Sequence, residues 1–367
     1  MDASTAARVF HDWAYGEGLI PDGPFSPVTS VPGELALVGP VTDVGKQILR
    51  TKQVQAIAFN EARAEIIVFT RRVAPGSEKQ LGAVPNEVDG VKVKYRQGVQ
   101  TAVGAVPSMP FGGPPYVVRA AMGSSRYACG SSISVGNCRE AGTMGALVRD
   151  ANGTMYGLSN NHVSASCSFA AAGLPILAPG VLDVAAGGLS PFTLGFHAAA
   201  LPLVPGSVDN VDPKANLDAA TFRIADDAIV TSFQGDAYDT PAVVGPLAPD
   251  LKVEKVGRTT GHTTGRVVGQ IHGAHAIQYS AALYGFSGVI FFDPVYAIVG
   301  NGQAFSDNGD SGSLITSIDE NSLRTAVGIV VGGMQDGSAP GGKITIALPI
   351  QPILAALGVT LVSGHNV

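Results

Sequence analysis

A mainly β body preceded by an α+β module is the fold class this sequence predicts, and three observations carry the expectation. Glycine occupies 47 of the 367 positions, which suits many short strands joined by tight turns. From about residue 116 onward, short runs rich in Val, Ile, Ala and Thr recur with turn signals between them. Before residue 105 the pattern is mixed, with helical spacing and alternation side by side and much of the dense charge. A chain of 367 residues is about twice the usual domain size, so two domains and a sizeable core are the starting expectation. The boundaries read from composition are an α+β domain over 1–105, a linker over 106–118 and a β domain over 119–367.

Taken in order, the N-terminal module should hold a helix over Ala6–Tyr15, a second over Val44–Lys52, and strands at Val54–Ala58, Ala64–Thr70 and Val91–Tyr95. Arg63, Arg71, Arg72, Glu78 and Lys79 mark its solvated surface. Small residues, Gly and Pro from Val106 to Pro115 form the linker. Strands of the β domain are expected at Met144–Arg149, Met155–Ser159, Ala219–Ile224, Val253–Val256, Arg266–Gln270, Val289–Phe292 and Ala326–Val331. After Leu348-Pro349, the apolar residues of Gln351–Leu357 have helical spacing and should pack on the β body. No internal repeat is visible in the sequence, although two barrels can share a shape without sharing a sequence.

Composition narrows the function classes. Net charge is −6 and only 14% of residues are charged; no basic stripe is present, which argues against nucleic acid as the ligand. The apolar stretches Phe169–Leu189 and Phe286–Val299 are broken by Gly, Pro or Asp, so neither reads as a membrane span. Met1–Asp22 lacks the basic start and apolar segment of an export signal, and a cytoplasmic location is expected, with secretion left open. Cys129, Cys138 and Cys167 lack metal-ligand spacing. Two arrangements fit them: three reduced thiols, favoured in a reducing compartment, or a Cys138–Cys167 bridge with Cys129 left over.

Chemistry concentrates in three places. Gly309-Asp310-Ser311-Gly312-Ser313 lies downstream of Ser159-Asn160-Asn161-His162 and of Asp218, giving the order His, Asp, Ser. A serine hydroxyl becomes a competent nucleophile when a histidine accepts its proton and a carboxylate holds the imidazole in the right tautomer. The spacing places one such residue in each of three loops of a two-barrel body. Asp212, Asp226 and Asp227 are the competitors of Asp218 for the acidic role. His262, His272 and His275 lack Cys or carboxylate partners at ligand spacing, so no metal is expected; His197 and His365 read as loop and tail residues. The glycine-rich strings do not follow the strand, phosphate loop and helix pattern of nucleotide sites, and no cofactor is expected.

Five strings together resemble the chymotrypsin-like (trypsin-fold) serine peptidases, and more closely their bacterial streptogrisin and α-lytic branch. They are Ala141–Val148, Leu158–Val163, Asn216–Ala220, the Val256–Gly265 segment with its Arg-Thr-Thr-Gly, and the Gly309–Ser313 loop. The resemblance covers roughly residues 125–357, and the upstream module, with Val84-Pro85 and Val88–Val93, looks like the extension on some bacterial trypsin-like proteins. It implies a double β-barrel, with Ser311 as nucleophile, His162 as general base and then acid, and Asp218 as the orienting carboxylate. The backbone N–H groups of Gly309 and Ser311 would form the oxyanion hole.

The resemblance further implies that Asp310 is a buried carboxylate whose ion pair shapes the oxyanion loop. Its partner is either an amine released by cleavage or an internal cation such as Arg258. Phe305 falls at the floor of the substrate pocket with Ser306 beside it, and Val331, Gly332 and Gly333 on the strand that pairs with substrate. The absence of an acid at the floor disfavours Arg or Lys there and points to a medium apolar side chain, with Asp307 near the rim. Where the family carries a serine that supports the catalytic aspartate, this chain has Val331, so Asp218 needs other donors. The expected function is a serine endopeptidase acting on protein or peptide substrates through an acyl-enzyme. The N-terminal module is expected to be a pro-, regulatory or docking element, open to autoinhibition or to a regulatory partner. The rival readings are a silent trypsin-fold scaffold and a protease restricted to self-processing.

Overall fold

The structure is a computed structural model that describes residues 1–20, 28–104, 107–111, 113–121, 123–186, 189–207 and 209–367. The chain forms mainly strands, arranged as the double β-barrel that the sequence predicts. The second barrel is fully closed. Its six strands run Lys252–Gly257, Leu314–Ile318, Arg324–Gln335, Lys343–Pro349, Val295–Gly300 and Gly261–Ile271, and the last pairs back on the first. Every pairing around this ring is antiparallel, so closure leaves no free edge within it. The first barrel is a half-barrel, an eight-stranded sheet built around Ala146–Asp150, Met155–Ser159 and Ala220–Ile224.

Each barrel is filled by the inward face of its strands. Phe222, Leu147, Ile133 and Met144 pack the first; Val267, Ile298, Ile315 and Phe305 pack the second. The helix predicted at the C-terminus is Ile350–Leu357, which buries Ile350, Ile353 and Leu354. Several strands are absent from the sequence reading, among them Pro175–Ala178, Phe192–Ala200, Val295–Gly300 and Lys343–Pro349. The hairpin of His275–Ala281 and Phe286–Phe292 also went unseen, apart from its Val289–Phe292 end.

The two longer N-terminal helices are Ala3–Gly16 and Asp43–Lys52. Asp2 caps the first by accepting from the Thr5 amide, and Thr42 caps the second from Gly45, the arrangement that short polar side chains favour at such ends. Phe10, Trp13 and Leu49 bury against Ile57, Ile66 and Val68. Those three lie on Val54–Asn60 and Glu65–Thr70. The first of these strands pairs with the second barrel, Ala58 opposite Ile271, so the N-terminal sheet is continuous with barrel strand Gly261–Ile271. Glu65–Thr70 in turn pairs in parallel with Val91–Gln97. Among the described residues no helix is long and apolar enough to cross a membrane. Cys129, Cys138 and Cys167 are separate buried thiols, and the Cys138 sulfur lies 3.3 Å from Ser166 Oγ.

Candidate active site

The strand register of the first barrel brings His162 and Asp218 together. Ser159 pairs with Ala220 at the ends of adjacent strands, so the loops just beyond, Asn160–His162 and Asn216–Asp218, emerge side by side. Asn160 Nδ2 donates to the Asp218 carbonyl at 2.6 Å. Asn161 Nδ2 donates to Ser168 Oγ and the Leu201 carbonyl, tying down the single helical turn Asn161–Ser164 that carries His162.

His162 Nδ1 sits 2.6 Å from Asp218 Oδ2, and the His162 backbone N–H donates to Oδ1 at 3.1 Å. Asp218 is fully buried, so these donors replace the water that its carboxylate would otherwise need. A third donor, the Tyr279 hydroxyl, reaches Oδ2 at 3.0 Å. The same ring meets His162 edge-on, with centroids 5.6 Å apart. Burial, reinforced by the Asp218 charge, holds the Tyr279 hydroxyl well above its ordinary pKa, so it remains a donor. Val331, at the position where a supporting serine was sought, is instead buried in the hydrophobic core. The competing acids lie elsewhere: Asp226 caps the turn Asp227–Ile229, which Asp227 begins, and Asp212 is a loop acid.

Ser311 comes from the second barrel, in the loop before Leu314–Ile318. That loop is fastened across the junction to Thr143 of the first barrel, whose N–H donates to the Ser311 carbonyl and whose hydroxyl donates to that of Gly309, both at 2.9 Å. Gly312 has φ +95°, and a Cβ there would lie 2.4 Å from both Ser159 Oγ and the Thr143 carbonyl; the close approach of the two barrels requires glycine. Ser311 and His162 then line one cavity between the barrels.

The loop also orients its amides. The Asn308 carbonyl accepts from Thr259 Oγ1 at 2.8 Å and the Ser108 N–H at 2.9 Å. The Asp310 carbonyl accepts from the N–H and hydroxyl of Ser313. Because a trans peptide points its N–H opposite its carbonyl, pinning these two oxygens turns the N–H groups of Gly309 and Ser311 the other way. Gly309, at φ +103°, accommodates the turn without strain.

Asp310 is fully buried and caged by five donors. Oδ1 accepts from the amides of Thr259 and Thr260, at 2.7 and 3.2 Å, while Oδ2 accepts from Thr260 Oγ1 at 2.7 Å and the Asp307 N–H at 2.9 Å. The fifth is Lys255 Nζ, 3.4 Å away and itself fully buried. Burial lowers the Lys255 pKa and the neighbouring Asp310 works to restore it. Arg258, offered from sequence as the internal cation, is engaged elsewhere: its guanidinium forms a two-pronged pair with Asp183, with Nε 2.8 Å from Oδ2. Gly257 is the opening that admits this cage, since a Cβ there would lie 2.5 Å from Asp310 Oδ1.

The pocket residues divide. Ser306, Gly332 and Gly333 line the cavity with Ser311, together with Val330, Ile344 and Met334. Phe305 is 1% exposed and packs into the barrel core among Val267, Ile298 and Val330; it lies outside the cavity lining. Ser306 Oγ pairs with Thr345 Oγ1 at 2.6 Å, and Lys343 Nζ forms an ion pair with Asp307 on the same wall. His262 pairs with Glu254 at 2.7 Å, and His272 lies near His11. Among the described residues no group of three or more His, Cys, Asp or Glu side chains could hold a metal.

Tyr279, Lys255, Asp183 and Lys343 were missed in the sequence. No short motif marks them, because each acts across a long sequence distance; only Lys255, beside the Val256–Gly265 segment, lay close to a string already singled out.

A family model described as the Nal1 C-terminal domain matches residues 238–347, under a third of the chain. No curated protein matches. Among solved structures, the chain is similar to Thermobifida fusca Protease A at 19% identity and TM-score 0.40, covering 65% of this chain and 100% of that one. It is similar to Nocardiopsis Protease at 16% identity and TM-score 0.41, covering 64% and 97%. A chymotrypsin of Cellulomonas bogoriensis gives 17% identity and TM-score 0.40, covering 64% and 98%. Likeness this distant leaves the chemistry to be argued from the chain's own residues.

Proposed function

We propose that this protein is a serine endopeptidase that cleaves peptide bonds through an acyl-enzyme on Ser311. The single observation carrying the reading is the His162–Asp218 pair, 2.6 Å between Nδ1 and Oδ2, facing the same cavity as Ser311. With Nδ1–H donated to Asp218, Nε2 is left as the acceptor for the Ser311 proton. As Oγ attacks the carbonyl, His162 takes that proton and returns it to the leaving amine; water then repeats the sequence in deacylation. The N–H groups of Gly309 and Ser311 supply the oxyanion donors, already oriented before substrate arrives. The cavity wall of Val330, Ile344 and Met334, with Ser306 beside them, supports a medium apolar side chain at the cleaved position.

A fluorophosphonate probe tests the assignment directly. Mass spectrometry should place a single adduct on Ser311, and a peptide library should be cut internally after medium apolar residues. No adduct in the folded protein would remove the nucleophile from the scheme.

Tyr279 acts here as a positioning residue. Tyr279→Phe removes one hydrogen bond to a buried carboxylate, a loss of about 1.5–3 kcal/mol. The expected result is a fall in kcat of roughly tenfold with KM unchanged, accompanied by a shifted acid limb in the pH–rate profile. A variant with the wild-type profile would make the tyrosine a packing residue only.

A further inference from the structure

Resting on the peptidase reading, we infer that residues 99–104 determine which acyl chains the site accepts. The segment occupies the strand edge whose Gly332 and Gly333 line the cavity with Ser311, the edge open to an extended peptide bound there. Val99–Gln100 pairs antiparallel with the end of Arg324–Gln335, Gln100 opposite Met334. The next residue is bound more tightly. The Gly333 carbonyl accepts from the Thr101 N–H at 3.0 Å, from Thr101 Oγ1 at 2.6 Å and from Gln100 Nε2 at 3.2 Å, which leaves no capacity for a substrate N–H.

The segment continues toward the reacting groups. Val103, 5% exposed, donates its N–H to the Gln278 carbonyl at 2.7 Å and accepts from the Ser280 N–H at 3.1 Å. A Cβ placed on Gly332 would lie 3.2 Å from the Val103 side chain, so Val103 covers Gly332 as Thr101 covers Gly333. Gly104, at φ +88°, runs so close to the hairpin that a Cβ would lie 2.2 Å from the Ser280 carbonyl. Farther on, Pro107 shares the cavity with Ser311 and His162, and Ser108 holds the Asn308 carbonyl. His275 Nε2 anchors the start of the strap to Gln100 Oε1 at 2.8 Å. Burial pushes the His275 pKa down to about 4, which keeps this histidine neutral through the working range.

Peptides normally gain affinity at a sheet edge through main-chain hydrogen bonds, and here the chain's own strand already makes them. Because the strap is covalently attached, it competes at an effective concentration in the millimolar range. The folded site therefore admits short acyl groups that need no contact beyond the pocket, and an extended acyl chain enters only when the strap is displaced. If the strap is displaced about 1% of the time, extended peptides bind about 100-fold more weakly than the open edge would allow.

The test compares p-nitrophenyl acetate with a tetrapeptidyl p-nitroanilide in the full chain and in Gln100→Ala and Thr101→Pro, which remove the bonds to the Gly333 carbonyl. Both substitutions are expected to raise kcat/KM for the tetrapeptide at least tenfold and to leave acetate turnover within about twofold. A second readout uses the unaltered protein. Hydrogen exchange at the Thr101 and Val103 amides should accelerate when a tetrapeptidyl phosphonate labels Ser311 and stay slow when a small fluorophosphonate does. Tetrapeptide cleavage in the full chain that equals or exceeds that of the variants, or amides that stay protected under the long inhibitor, would overturn the strap while leaving the peptidase reading intact. Failure of Ser311 to react with either reagent would overturn both.

Discussion

Replacing Ser311 with alanine is expected to lower peptide turnover by roughly 10⁶-fold, with residual catalysis left by the oxyanion donors and substrate binding. The size follows from how the site divides its work. In the proposed mechanism His162 and Asp218 act in acyl transfer only through the serine oxygen, so removing that oxygen silences all three. The variant should fold normally, since the contacts that join the barrels run from Thr143 to the backbone carbonyls of Ser311 and Gly309 and not through the Ser311 hydroxyl. Steady-state assays on protein with an unchanged unfolding midpoint check both halves. Turnover within tenfold of wild type would mean that another nucleophile carries the activity.

Lys255→Met should have the second largest effect, on stability as well as on rate. The substitution keeps the aliphatic volume but strands Asp310, which is held 3.4 Å from Nζ in a fully buried pair. Removing one member of such a pair costs about 3–5 kcal/mol, because the remaining charge has no water to turn to. That charge also anchors the loop that aims the Gly309 and Ser311 amides, and losing one oxyanion donor costs about 10²–10³ in kcat. Denaturant unfolding and kcat should therefore fall together. In the double variant Lys255→Met with Asp310→Asn, stability should partly return, since a neutral amide costs less to bury, while activity stays low. Wild-type stability and rate in Lys255→Met would show that the four neutral donors around Asp310 suffice.

This pairing also bears on activation. The carboxylate that could have waited for an amine released by cleavage already has an internal lysine, and the Gly309–Ser311 loop is already shaped around it. On the proposed reading, control of the site rests with access along the Gly332–Gly333 edge and not with assembly of the loop.

Much of the fold was legible because it depends on local pattern. The helices at Ala3–Gly16, Asp43–Lys52 and Ile350–Leu357 were recognisable from apolar spacing. The strands that lead to His162 and follow Asp218 were visible as short β-favouring runs between turn signals. Strands such as Phe192–Ala200, with a bulge near His197, and Lys343–Pro349, buried on both faces along most of its length, were missed. Val331 and Phe305 show the same limit in the site. Counting from Ser311 placed Phe305 on the pocket and the resemblance to a substrate-pairing strand placed Val331 there, but both side chains pack into the core.

Residue type and order singled out His162, Asp218, Ser311 and Asp310 as candidates because they stand in short strings, and the structure pairs His162 with Asp218, sets His162 and Ser311 on one cavity and buries Asp310 beside Lys255. Their supporting partners came only with folding. Tyr279 reaches Asp218 from a hairpin 61 positions away, Lys255 reaches Asp310 across the barrel, and Thr101 meets Gly333 across 232 positions. Such contacts depend on sheet register and barrel closure, which sum weak preferences over the whole chain and leave no local trace. The candidate Ser311 string is therefore a property of the sequence, whereas what holds its loop and what lies across its cleft are properties of the packed barrels.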